Sequence, residues 1–398
     1  MPSRRTLLRT GGLAGLSVLA GCLSASPFGA PTPAAGEWPT TRRGPTNTAR
    51  APEATPPRAS PRVAWRAEAA GAIHDLLVAD GTVYATHARG TVAYETTTGD
   101  RRWTVERESM VPAGRRVGAL AEGTLYTADD ASLRAVDATD GTRLWSHQIT
   151  AETADPLRGY GLKITDSGLL LGFHGGLAAF DREGSHRWTV WPGGLGWVYP
   201  AVAHGRLYVG SPGPLLAYAR SSRLNRVLDP APRAAWEGRG PAFCSWPVVV
   251  GDRIVVADRE PLRDGGTTTV WAYEWDGTLD WTRRVPGTGR APAAAEETVV
   301  VSAGTEPSTV RGLDAADGTV RWVRESRRYV RDPIVAGDVV LAAGAPEEPS
   351  RGETVRALDA ATGDRLWTIP VDGRAERLAA VGDRVYVGTD AGRVVTLA

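Results

Sequence analysis

Cysteine is nearly absent from this chain: Cys22 and Cys244 are the only two in 398 residues. If the first is consumed near the N-terminus, no intrachain disulfide is possible, and the core must be self-sufficient. Lysine is scarcer still, with Lys163 alone, so nearly all positive charge is arginine. Charge of one sign is lacking too. Lys+Arg is 46 against Asp+Glu 45, which leaves no net field to attract nucleic acid. There are 4 Phe and 2 Met, but 47 Gly, 28 Pro and 14 Trp. Many turns and few flexible apolar side chains exclude a helical bundle and suit an all-β protein of many short strands.

The first residues, "MPSRRTLLRTGGLAGLSVLAGC" (1–22), form an address. Arg4 and Arg5 ahead of a short apolar run resemble a twin-arginine export signal. The run holds Gly11, Gly12 and Gly15 and is too short for a spanning helix. It ends in Leu19-Ala20-Gly21-Cys22, the lipobox pattern, in which the signal is cut before the cysteine and the thiol takes lipid. The alternative is a plain cleaved signal with a chance cysteine. The expectation is a protein exported folded and lipid-anchored through Cys22 on the extracytoplasmic face of the cell membrane, with that anchor its only membrane contact. Residues 23–36, "LSASPFGAPTPAAG", are small, Pro-rich and uncharged and read as a flexible tether. Residues 23–61 are therefore set apart as tether and lead-in, before one domain at 62–398.

That domain repeats a sentence. "AVDATDGTRLW" (135–145), "GLDAADGTVRW" (312–322) and "ALDAATGDRLW" (357–367) are near copies. The tryptophans that end each unit are Trp65, Trp103, Trp145, Trp188, Trp236, Trp281, Trp322 and Trp367, at spacings of 38 to 48 residues. A period of about 40–45 with four strands per unit is the length of a propeller blade. Each unit opens with two apolar arms around an Asp/Gly/His turn, as in "LLVADGTVYAT" (76–86) or "AAVGDRVYVG" (379–388), which predicts a hairpin. The sentence then supplies a third strand ending at Asp, a turn with Gly at positive φ, and a fourth strand carrying Trp. An indole at one position in every unit is placed between neighbouring sheets, docking one blade on the next. Copies are unequal: the one ending at Trp236 lacks both Asp and Gly, and the first has Glu95 in place of Asp.

The last unit stops after its third strand, and "RVAWRAE" (62–68) is a Trp strand with no hairpin before it. Together they make one blade with the N-terminal strand outermost, closing the ring. The count is eight four-stranded antiparallel blades; seven would follow if the Trp236 copy were an insertion.

The "LDAxTGxxxW" copies and the opening "EWPTTRRGPTNTAR" (37–50) resemble the quinoprotein-type β-propellers built from PQQ repeats. The resemblance covers roughly residues 37–398. It implies the propeller fold but several functions. Members include PQQ-dependent alcohol dehydrogenases, sensor domains and non-catalytic scaffolds such as the outer-membrane assembly lipoprotein of Gram-negative bacteria. The dehydrogenase branch implies a vicinal cysteine pair, a Ca²⁺ site of Glu, Asn and Asp, a catalytic Asp, an Arg on the quinone and a Trp floor. Cys22 and Cys244 are not vicinal, and Asn47 and Asn225 are the only asparagines. The resemblance therefore favours the scaffold branch: no catalytic residues, no metal and no resident cofactor, with PQQ as the alternative. If the chain is a degenerate quinoprotein, Asp332, Arg377 and Trp246 are its expected funnel residues.

Other chemistries find less support. The six histidines, His74, His87, His147, His174, His186 and His204, show no zinc-ligand spacing and are expected in turns or loops. No nucleophile elbow accompanies "HGG" at 174–176. Cys244 is expected as a small buried apolar residue. Aligning the units on their hairpins puts Asp75, Val117, Gly161, Tyr199, Trp246, Ala291, Asp332 and Arg377 around the channel mouth. One side is aromatic (Trp191, Trp197, Tyr199, Phe243, Trp246). The other holds Arg327, Arg328, Arg331, Arg374 and Arg377. Aromatics and Arg dominate binding hot spots. The expected mouth (Asp75, Tyr199, Trp197, Trp246, Arg328, Asp332, Arg377) suits an anionic or extended peptide partner, or a small ligand, on a monomeric propeller.

Overall fold

A computed structural model describes residues 28–398 apart from 108–114, 130, 151–158, 194–195, 197, 211–212, 220–230, 241–243, 259–265, 288, 305–306, 327–329 and 345–352. The described residues form strands and turns without a helix, so none is long and apolar enough to cross a membrane. Eight sheets of four antiparallel strands follow one another along the chain as the blades of a propeller. The first blade runs Ile73–Ala79, Thr82–His87, Gly90–Glu95 and Arg101–Glu106, from the axis outward. In the eighth, Ala375–Val381, Arg384–Thr389 and Arg393–Leu397 are completed by Val63–Glu68, which pairs antiparallel with the last strand of the chain. The inner strand of the eighth blade then packs against that of the first. The closure expected from the sequence is what forms, and the Trp236 unit is a complete fourth blade, not an insertion.

Burial explains the two textures of the sequence. Second strands such as Thr82–His87 and Gly168–Phe173 are buried at every position, because both faces of a blade are covered by its neighbours. They read as continuous apolar runs for that reason. Outermost strands such as Arg101–Glu106 alternate between half-buried and exposed positions.

The pairing of each outermost strand shifts register immediately before its tryptophan, in all eight blades. A bulge bends the strand and re-aims the next side chain. Opposite the indole stands a small residue: Ala93, Ala135, Ala179, Ala217, Ala272, Gly312 or Ala357, with Thr396 in the closing blade. The indole is thereby turned onto the following blade. Trp65, Trp103, Trp236, Trp281 and Trp322 donate their Nε1 hydrogens to backbone carbonyls there, at Thr96, Ala138, Trp275, Ala315 and Ala360, over 2.8–3.2 Å. The sentence is therefore read across blades. Its Trp covers the turn of the next unit, and its Gly lies under the Trp of the previous one. Gly318 shows why that residue is fixed: its φ is +70°, and a Cβ there would fall 2.5 Å from the Trp281 ring. In the same turns Asp137, Asp314 and Asp359 accept hydrogen bonds from backbone amides two residues on. Glu95 does likewise for Thr97 and Thr98.

Four of the six histidines, His74, His87, His147 and His186, sit in strands rather than in the loops expected for them. Cys244 is buried as expected, and burial pushes its thiol above the ordinary range.

Candidate functional site: a funnel with an internal floor

The main departure from the sequence reading is the N-terminal segment. Residues 28–61 are packed into the propeller and are no free tether. Phe28 is 3% exposed, edge-on to Trp188, and Gly29 C=O accepts the Asp166 amide at 2.9 Å. From Trp38 onward the segment circles the channel and bonds to the inner strand of each blade in turn. Trp38 exchanges two backbone bonds with Val78, and Leu120 N–H donates to Pro39 C=O. Lys163 Nζ donates to Gly44 C=O at 2.6 Å. Val202, Val249, Ala294 and Val335 donate to the carbonyls of Pro45, Thr46, Thr48 and Ala49, each at 2.9 Å. Arg50–Ala51 then lies parallel to the inner strand of the seventh blade, and Thr55 N–H reaches Gly382 C=O of the eighth. Inner strands of a ring leave one backbone edge unpaired, and buried unpaired amides are costly. The lead-in supplies their partners.

These contacts fall three residues beyond the aligned mouth positions: Asp75 to Val78, Trp246 to Val249, Asp332 to Val335. Three residues of strand span about 10 Å. The lead-in is thus a floor some ~10 Å below the mouth ring, and the channel is a blind funnel. A cavity of about 280 Å³ fills it, bounded below by Thr41, Arg42 and Ala49 and on the walls by Arg115, Trp246, Arg290, Arg331, Asp332, Glu376 and Arg377. The structure thus brings Trp246, Asp332 and Arg377 into one cavity, as the alignment placed them. Asp75 lies behind Arg377, and Tyr199 packs against Trp246 with ring centroids 5.1 Å apart and planes tilted by 52°. Trp191 does not line the cavity; it packs against Phe173 and stays exposed. Arg374 is held outside it by Asp390 at 2.9 Å. Trp197, Phe243, Arg327 and Arg328 lie outside the described residues, as do Arg4, Arg5 and Cys22.

The electrostatics of the floor are unusual. Asp75 is fully buried, and burial pushes its carboxyl above the ordinary value. The bonds that oppose this come from Thr41 Oγ1 (2.7 Å) and the amides of Leu76 and Gly118. Arg42 is buried, donates to Asn47 C=O (2.9 Å) and to Pro292 C=O, and has its pKa lowered by burial against the charge of Asp332. Asn47 Nδ2 bridges the carbonyls of Pro200 and Pro247, at 3.1 and 3.0 Å. Lys163, the one lysine, sits over the Tyr199 ring at 4.6 Å, and burial together with Arg42 lowers its pKa far below the usual range. On the wall, Arg331 is held by both oxygens of Glu353 (3.2 and 3.3 Å) and by Glu376 (3.1 Å). Trp246 Nε1 is buried and has no hydrogen-bond partner among the described residues.

A quinone held on calcium requires several free oxygen ligands at one point. The funnel does not fit that demand. Both Asp75 oxygens are engaged, Glu353 and Glu376 pair with Arg331, and Asp332 is the one wall carboxylate without a hydrogen bond or ion pair among the described residues. Five arginines around it, Arg42, Arg115, Arg290, Arg331 and Arg377, oppose a divalent cation and suit a ligand with anionic groups.

Sequence reasoning missed the floor. Thr41, Arg42, Asn47 and Lys163 come from a segment and a strand that carry no repeat signature. The available signals were the family resemblance of "EWPTTRRGPTNTAR" (37–50) and the rarity of Asn and Lys, and neither tied these residues to the axis.

The fold and its repeats have matching relatives. A family model described as outer membrane protein assembly factor BamB matches residues 58–158, 222–348 and 351–398, more than half of the chain. The quinohemoprotein alcohol dehydrogenase from Comamonas testosteroni superposes with a TM-score of 0.66 at 15% identity, over 91% of this chain and 80% of that one. The computationally designed Ika8 protein gives 0.63 at 16% identity, over 83% and 96%. Both likenesses are of fold alone. The serine/threonine-protein kinase AfsK of Streptomyces coelicolor is 36% identical over 87 residues, which spans 21% of this chain but only 11% of the kinase. With its repeats matched over most of their length and its eight blades closed around one axis, the chain belongs to the PQQ-repeat β-propeller family described as outer membrane protein assembly factor BamB.

Proposed function

We propose that this protein is a non-catalytic binding propeller, exported and lipid-anchored through Cys22 at the outer face of the cytoplasmic membrane, which holds a protein, peptide or small-ligand partner over its funnel. The observation that supports this most is the floor. The chain's own lead-in closes the channel from below: Thr41 holds Asp75, and Arg42 is tied to the carbonyls of Pro292 and Asn47. The cavity above it is lined by five arginines, Trp246 and Asp332, a wall whose charge and residue types suit recognition of an anionic group.

A second reading, a quinoprotein dehydrogenase, is favoured by one observation: Trp246, Asp332 and Arg377 share a single cavity. Calorimetry of residues 28–398 titrated with PQQ, with and without Ca²⁺, separates the two. No heat of binding supports the recognition reading. Tight one-to-one binding, followed by turnover of alcohols or sugars with a dye acceptor, would replace it with the enzyme.

A further inference from the structure

The lead-in also determines which way the molecule faces. Every two-residue turn between inner and second strands, such as 80–81, 166–167 and 251–252, lies at one end of the blades, which we call the turn face. The funnel mouth is at the other end. Phe28 docks at the turn face, because Gly29 beside it accepts the amide of Asp166, in the third blade's turn. Its seat is Trp188, the docking tryptophan whose following unit lacks the Asp and Gly of the repeat. Phe28 thus occupies a joint that the repeat leaves incomplete. Residues 31–33 then run along the turn face, lining a cavity of about 160 Å³ with Asp80, Glu122 and Gly123 of two further turns.

We infer that the turn face is held toward the bilayer and the funnel mouth points away from it. This rests on the lipid anchor proposed above. From Cys22 to Phe28 is six residue steps, a reach of at most roughly 20 Å for an extended chain. Blade strands of five to seven residues are themselves about 17–23 Å long. A leash rooted in the turn face therefore holds that face at the lipid with slack, whereas it brings the mouth down only when stretched along the whole height of a blade. Charge pulls the other way. Exposed carboxylates of the turns, among them Asp252, Glu296, Asp338 and Asp383, repel anionic headgroups, whereas mouth arginines are attracted to them. Orientation by leash and orientation by charge predict opposite outcomes.

The test uses one added cysteine per variant in the full lipidated chain on vesicles with anionic and acceptor-labelled lipids. Asp252→Cys reports the turn face and Arg374→Cys the mouth face; buried Cys244 does not compete for the dye. Energy transfer to lipid is expected to be at least threefold greater from position 252. Equal or reversed transfer overturns the inference. Cys22→Ser is expected to release the protein from vesicles, which tests the anchor itself. Should the natural chain carry no lipid, the mature chain coupled through Cys22 to a maleimide lipid still reads the orientation, so the two failures are told apart.

Discussion

The turn face and the mouth face of the propeller are written in different ways. On the turn face one device recurs: a carboxylate closing a turn, a glycine beneath an indole, and an indole donating to the next blade. On the mouth face almost nothing recurs. Asp75, Tyr199, Trp246, Asp332 and Arg377 stand at equivalent places in their blades, yet range from carboxylate to aromatic to guanidinium. Repetition at one end makes the blades interchangeable parts of a ring. The lack of it at the other end breaks the symmetry and builds one cavity rather than eight. The lead-in joins the two ends. It fills joints the repeat leaves incomplete, with Phe28 on Trp188 and with Pro57 C=O accepting Trp367 Nε1 at 2.7 Å, and it carries the funnel floor between them.

Removing residues 28–61 should have the largest effect, since it uncovers the paired edge of every inner strand contacted. The expected result is loss of a cooperative thermal transition by circular dichroism. A native-like melt would show that the floor is dispensable to the ring. Next comes the repeat itself. Trp322→Ala should cost about 3–5 kcal/mol in urea unfolding. Gly363→Ala, which places a Cβ 2.5 Å from that same ring at a φ of +72°, should cost about 1–3 kcal/mol. Asn47→Ala should cost about 2 kcal/mol by leaving the Pro200 and Pro247 carbonyls without their donor.

The two faces should also part company in acid. His74 and His87, on the mouth side, are held neutral by burial first and nearby arginines second, with pKa values lowered to about 4. A base whose folded pKa lies below its unfolded value binds fewer protons when folded, so stability rises with pH across that window. Stability should fall from about pH 6.5 to 4 as the unfolded state gains protons, and His87→Asn should flatten that limb. Glu95, on the turn face, has its pKa lowered to about 2, first by the Thr97 hydroxyl and then by backbone amides. Its contribution is present above the unfolded value and disappears only as pH falls from about 4.5 toward 2. Urea midpoints measured against pH resolve the two limbs; a single limb below pH 4.5 would sink the assignment to the histidines. The smallest change in stability is expected from Trp246→Ala and Asp332→Asn, within about 1 kcal/mol, coupled to loss of whatever binds the funnel. A large destabilisation there would make the mouth architecture after all.

The ring was legible in the sequence because its cause is local and repeated. A turn demands Asp and Gly, a blade buried on both faces demands unbroken apolar runs, and a joint demands Trp opposite Ala. Blade count, the closing strand Val63–Glu68 and the eight docking tryptophans follow from such spacing. Alignment on the hairpins extended this to the mouth, and placed Trp246, Asp332 and Arg377 in the ring around it.

The floor was not legible, and the reason is physical. "PTTRRGPTNTAR" (39–50) has neither apolar alternation nor turn period, since its partners are backbone edges exposed at the axis of a ring, from Leu120 to Val335 and so far from it in sequence. Most of those edges are satisfied by backbone carbonyls of the segment, so its composition leaves little trace of the role beyond the family resemblance it carries. By itself the sequence determined the repeat, and with it the fold and the position of each blade. Only the tertiary structure decided that the channel is closed from within, that Asp75, Arg42 and Lys163 are buried against that closure, and that the chain enters from the turn face, because each of these depends on contacts between parts of the chain that share no local pattern.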